Sequence, residues 1–85
     1  MVTDLAALLD RLPDGWSRVT FDGRTYGVTR TRAVDGHAIS LYAEELGGTD
    51  VVSANVYRTA EEDLLRPCEM PGAKVIAFLR GLEPA

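Results

Sequence analysis

Between Trp16 and Arg58, apolar and polar residues alternate along four segments, and the alternation breaks at Asp22-Gly23, Asp35-Gly36 and Gly47-Gly48. A period of two marks a strand with one buried face. Asp-Gly or Gly-Gly between two such runs predicts a two-residue hairpin loop, because both central residues of a type I′ turn need a positive φ. The expected product is a four-stranded antiparallel meander in the order 1-2-3-4.

Two-residue loops also dictate register. Across Asp22-Gly23 they pair Phe21 with Arg24, Val19 with Tyr26 and Ser17 with Val28. Across Asp35-Gly36 they pair Arg32 with Ile39, Arg30 with Leu41 and Val28 with Ala43, and across Gly47-Gly48 Ala43 with Val52, Leu41 with Ala54 and Ile39 with Val56. All three registers send the apolar set to one side of the sheet, whereas a slip of one residue would reverse every side chain of a strand.

A sheet that is apolar on one face needs a cover, and the flanks supply it. Thr3 to Leu12 reads as a helix, with Thr3 as N-cap, Asp4 at the positive end of the dipole and Leu5, Leu8, Leu9 and Leu12 on one stripe. Pro13 ends it and Asp14-Gly15 turns the chain into the sheet. After the fourth strand, Thr59 to Asp63 reads as a polar acidic loop or helical turn, and Leu64 to Pro67 as a short fifth strand. Pro67 lacks an N–H, so that strand belongs at an edge. Pro71 suits the first turn of a second helix. Val75, Ile76, Leu79 and Leu82 form its stripe with Phe78 beside it, and Gly81 is placed to terminate it.

The fold class is therefore α+β: a single domain over residues 1–85, a two-layer α-β-β-β-β-α sandwich with both helices on one face. The expected core is Leu5, Leu8, Leu9, Leu12, Val19, Phe21, Tyr26, Val28, Ile39, Leu41, Val52, Ala54, Val56, Val75, Ile76 and Leu79. Arg24, Arg30 and Arg32 alternate on the covered side of strand two, and the expectation is stems along the core rim with guanidinium groups in water.

Composition narrows the classes. The chain has 85 residues, a net charge of −4, one cysteine and one histidine. Residues 1–34 carry five Arg and four Asp, and residues 35–85 carry four basic and nine acidic residues. That balance argues against a nucleic-acid partner, whose phosphates are neutralised by Lys and Arg. No apolar run approaches the roughly 18 residues of a membrane span. The first residues hold no basic region followed by an apolar stretch, and one cysteine forms no internal disulfide. The expected compartment is the cytoplasm, with neither membrane nor nucleic acid as partner and no cofactor.

The uncovered face is the informative surface. The registers place Trp16, Thr29, Tyr42 and Ser53 in one row, Arg18, Gly27, Glu44 and Val51 in the next, and Thr31, Ser40 and Asn55 on the other side. Trp and Tyr are enriched at protein interfaces, and Gly27 is expected to leave a shallow notch between Arg18 and Glu44. The first reading is a non-enzymatic module that docks a protein partner, or a second copy of itself, through Trp16, Arg18, Thr29, Tyr42, Glu44, Ser53 and Asn55. Strand one, as a free edge, offers a further mode of association.

The alternative reading is a thiol-dependent enzyme. Cys68 is the one residue with intrinsic nucleophilicity; it stands just ahead of a helix and two residues from Arg66, features that lower a thiol pKa, with Glu69 opposing them. The competing assignment for a lone cysteine is a small buried hydrophobe. His37 reads as a solvated turn residue, and one His with one Cys argues against a tetrahedral metal site. The runs Glu44-Glu45 and Glu61-Glu62-Asp63 lack convergent spacing, since strand neighbours face opposite ways.

Ala43-Glu44-Glu45-Leu46-Gly47-Gly48-Thr49-Asp50-Val51-Val52-Ser53-Ala54-Asn55 and Leu65-Arg66-Pro67-Cys68-Glu69-Met70-Pro71 resemble stretches of a group of short bacterial proteins of nearly this length, some of which carry the label peptide methionine sulfoxide reductase. The resemblance implies that Cys68 attacks the sulfoxide, with Trp16 or Tyr42 holding the methyl group. Reductases of that name in one class set their cysteine in Gly-Cys-Phe-Trp, where this chain has Pro67-Cys68-Glu69-Met70.

Overall fold

The computed structural model describes residues 5–33, 37–58, 63–68 and 70–85. In chain order the elements are α1 (Leu5–Leu9), β1 (Gly15–Phe21), β2 (Arg24–Ala33), β3 (Ala38–Glu45), β4 (Val51–Arg58), β5 (Asp63–Pro67), α2 (Gly72–Gly81) and β6 (Glu83–Pro84). The strands form one open antiparallel sheet in the order β5-β4-β3-β2-β1-β6. The expected four-stranded meander is its centre, and the sheet has six strands because both edges are extended. Leu64 to Pro67 falls within β5, and Glu83-Pro84 pairs with Val19 and Thr20. Strand one is therefore not a free edge over its second half, a correction to the expectation above.

Each predicted register is present: Val19 opposes Tyr26, Arg30 opposes Leu41, and Leu41 opposes Ala54. Asp22 (φ 53°) and Gly23 (φ 75°) supply the two left-handed residues of a type I′ turn. Gly47-Gly48 reaches the same register differently. Only Gly47 of that pair has a positive φ (81°), and the turn closes through the Gly48 N–H on the Glu45 carbonyl, while Glu45 still pairs with Asp50. Thr3, Asp4, the Asp35-Gly36 turn, Glu61, Glu62 and Glu69 lie outside the described residues.

Helix and sheet residues meet in one core: Leu5, Leu9 and Leu12 from the α1 region, Val75, Phe78, Leu79 and Leu82 from the α2 region, and the apolar rows of β1 to β4. Leu8, Phe21 and Ile76, expected inside, are only partly buried. Ala43, Phe78 and Leu82, which were not in the expected core, are fully buried. Phe78 is central rather than lateral: its ring meets Phe21 and Tyr26 edge-on, with centroids 5.2 and 5.0 Å apart. Such contacts add about 0.5 to 1.5 kcal/mol each beyond area burial.

Gly81 does not end α2 by a left-handed turn. It is the last helical residue, Leu82 is the C-cap, and Pro71 is the N-cap. Gly81 is needed for proximity instead, since a Cβ there would stand 2.8 Å from the Phe21 ring.

Two arginines finish the helices. Arg30 is 6% exposed rather than water-facing, and its Nη1 donates to the carbonyls of Leu9 and Leu12. Arg11, just past α1, donates to the carbonyls of Leu79, Arg80 and Leu82 at the end of α2. The last carbonyls of a helix lack backbone partners and carry the negative end of its dipole, so a cation there is doubly favoured. Arg24 and Arg32 are exposed as expected, paired with Glu45 at 3.6 Å and Asp14 at 3.0 Å.

Candidate functional site

The face that no helix covers among the described residues is built by all six strands. Alternation along each strand puts Trp16 and Arg18 of β1, Thr25, Gly27, Thr29 and Thr31 of β2, Ser40, Tyr42 and Glu44 of β3, and Val51, Ser53, Asn55 and Tyr57 of β4 on it. Trp16 is 60% exposed, Tyr42 46% and Tyr57 43%. Three large aromatics on one side of a small sheet form an amphipathic surface set among hydroxyls. Ser40 Oγ donates to Asn55 Oδ1 at 2.9 Å, which orients that amide on the face.

Gly27 does not leave a notch. The Trp16 indole lies across it, with Nε1 2.9 Å and Cζ2 3.0 Å from the point a Cβ would occupy. The register neighbour of Trp16 is Thr29, and the ring reaches diagonally to Gly27, a distance that aromatic side chains span on a pleated sheet. The glycine thus gives the indole a flat seat and holds it over β2.

Cys68 joins the same row. Its N–H donates to the Ser53 carbonyl at 3.0 Å, continuing the β4–β5 ladder one residue beyond Pro67, and its side chain is exposed with a free thiol. The row across the sheet therefore reads Trp16, Thr29, Tyr42, Ser53, Cys68. The buried-hydrophobe assignment is overturned, because the parity that sends Leu65 to the core sends position 68 outward. Cys68 stands four residues before α2 and on the opposite face of the sheet.

His37 is exposed at the far end of the sheet, where its carbonyl accepts from Arg58. Tyr42 lies five positions further on, roughly 17 Å along the strand, so His37 is not within reach of the Cys68 row. Among the described residues no three His, Cys, Asp or Glu side chains converge as metal ligands. Glu44 is exposed on the open face and Glu45 turns toward Arg24, opposite ways as expected.

A polar cluster on the covered side was not anticipated. Asp50 accepts 2.7 Å hydrogen bonds from Tyr26 Oη and Lys74 Nζ, joining β2, the β3–β4 turn and α2. Lys74 first, then the Tyr26 hydroxyl, holds the Asp50 carboxyl below its ordinary range. Burial, with the carboxylate beside it, pushes the Tyr26 phenol up to about 12. All of its members are satisfied by one another, which makes it a brace. A tyrosine in the apolar row of β2 with an Asp in the following turn was the available sign.

Comparison with known protein families, curated proteins and solved structures finds no match. Among the described residues no helix is long and apolar enough to cross a membrane.

Proposed function

We propose that this protein is a non-enzymatic interaction module that docks a protein partner on the open face of its sheet, acting in the cytoplasm and on neither membrane nor nucleic acid. The observation that carries the reading is the exposure of Trp16 and Tyr42 together in one cross-strand row, on the side of the sheet that no helix among the described residues covers. Arg18, Thr29, Glu44, Ser53 and Asn55 surround them with charge and hydrogen-bonding groups, the composition of an interface rim. The test compares a Trp16→Ala, Tyr42→Ala double variant with the wild type for captured partners and self-association, with thermal unfolding as the control. Loss of binding at unchanged stability supports the reading, and identical behaviour removes it.

The exposed thiol of Cys68 supports a second reading, the methionine sulfoxide reductase suggested by the resemblance. Cys68 would take the sulfoxide oxygen as a sulfenic acid. With one cysteine in the chain, two external thiols would then return it, releasing a disulfide and water. Turnover of methionine sulfoxide with added thiol, lost in Cys68→Ser, supports it; equal rates for both proteins reject it.

A further inference from the structure

We infer that the occupant of the open face is a second copy of this chain, related by a two-fold axis that runs along β2 between the two sheets. This rests on the docking-face reading and names its partner. The register makes the face complementary to itself: Trp16 and Tyr42 stand one strand to either side of Thr29, and Arg18 and Glu44 one strand to either side of Gly27. A two-fold parallel to β2 preserves position along the strands and exchanges β1 with β3. Arg18 of each copy then faces Glu44 of the other, and the isologous contact closes as a dimer.

The side chains on the axis suit this approach. Gly27 and Thr29 are small, and the Trp16 indole laid over Gly27 comes to the axis itself, against the other indole and between the two Tyr42 rings. Within one copy Arg18 and Glu44 are about 10 Å apart, two strand spacings, and Glu83 of β6 lies diagonal to Arg18 on the same face, so the second copy adds to the charge pairing of Arg18 and brings Glu44 its opposite charge. Aligned packing of sheets about 10 Å apart leaves room for one aromatic layer. With the axis on β2, only β1, β2 and β3 lie fully over their counterparts; three strands of roughly seven residues, spaced about 4.8 Å, give a flat footprint on the order of 350 Å² per partner, the size of a weak, concentration-dependent contact. The chain's net charge of −4 does not oppose the contact, because the described residues of the face balance Arg18 and Arg66 against Glu44 and Glu83.

The experiment is sedimentation equilibrium of the full chain with charge-reversed variants. The wild type is expected to reach twice its 9.2 kDa mass at high concentration. R18E alone and E44R alone each place like charges opposite one another and dissociate, with Kd raised roughly tenfold or more. An equimolar mixture of R18E and E44R restores both ion pairs and recovers the dimer, which misfolded variants would not do. A wild type that stays at 9.2 kDa up to about 1 mM overturns self-docking; the docking-face reading then still stands or falls on its own partner capture. A dimer indifferent to charge reversal, or a mixture no tighter than its components, overturns this geometry.

Discussion

The guanidinium of Arg30 donates a 2.6 Å hydrogen bond to the carbonyl oxygen of Leu12, so a side chain from the middle of the sheet completes the end of the first helical segment. A second bond reaches Leu9, and Asp14 lies 3.6 Å from Nε. Arg30→Met keeps the stem and removes the donors, leaving the Leu12 carbonyl without this bond and the Leu9 carbonyl with the Leu12 N–H alone. Hydrogen bonds to charged groups contribute about 1.5 to 3 kcal/mol each, so the expected loss for the two is about 3 to 6 kcal/mol. Urea unfolding checks this. Arg30→Lys should fall between the two, since an ammonium keeps the charge and loses the fork.

The outcome for Arg30 also marks what the sequence could and could not reveal. Which side a strand residue faces is written locally, in alternation, and register in the length of the turn; hence the β1–β4 pairs, and Trp16 and Tyr42 on the open face, were legible. Arg30 was placed on the correct side with the wrong environment, because its partners are carbonyls at the end of a helix. Those groups lie near Arg30 only after the helix has packed. Phe78 was seen at the margin of its helical stripe, since the rings that enclose it, Phe21 and Tyr26, come from the first hairpin. β6 has two residues and shows no period. Cys68 in its row required only that β5 be paired and counted.

The Tyr26–Asp50–Lys74 cluster makes stability depend on pH at both ends. The Asp50 carboxyl titrates lower in the folded chain than its ordinary 3.8. Its contribution is therefore complete above 3.8 and lost as pH falls through the folded value, where the native carboxylate must be protonated. The Tyr26 phenol titrates at about 12 rather than 10. The unfolded chain releases that proton first, so stability is complete below 10 and falls as pH rises toward 12. Asp50→Asn should flatten the acid limb of a stability–pH curve and Tyr26→Phe the alkaline limb, measured by denaturant midpoints.

Gly81→Ala should destabilise despite sitting in a helix, where alanine is ordinarily favoured by about 1 kcal/mol. A Cβ at 2.8 Å from the Phe21 ring forces that ring away from Phe78, its neighbour at 5.2 Å. Overpacking of this kind costs about 1 to 3 kcal/mol. A lower melting temperature is the expected result, with partial rescue by Phe21→Leu, which yields the space.

Cys68 should react with iodoacetamide in the native protein at nearly the rate seen after unfolding, because the thiol is exposed. Cys68→Ser should leave stability within about 0.5 kcal/mol of wild type, as expected for a surface position outside the core. A thiol that reacts only in denaturant would place position 68 beneath the sheet and break the row it shares with Ser53 and Tyr42.

Gly27→Ala tests the seat of the indole. A methyl group there meets Trp16 Nε1 at 2.9 Å, and something must move. The backbone has no need of glycine at this position, since its φ is not in the left-handed region, and Trp16 is 60% exposed and able to swing outward. The variant should therefore keep its stability within about 1 kcal/mol, strands tolerating alanine better than glycine in their interior. The signal lies in the single tryptophan: lifted off β2, the indole is surrounded by water and its emission shifts to longer wavelength. Quenching by iodide should become more efficient at the same time. Because the displaced ring no longer lies over the centre of the face, partner binding should weaken in this variant without loss of fold. An emission spectrum identical to wild type would mean that Trp16 does not rest on Gly27.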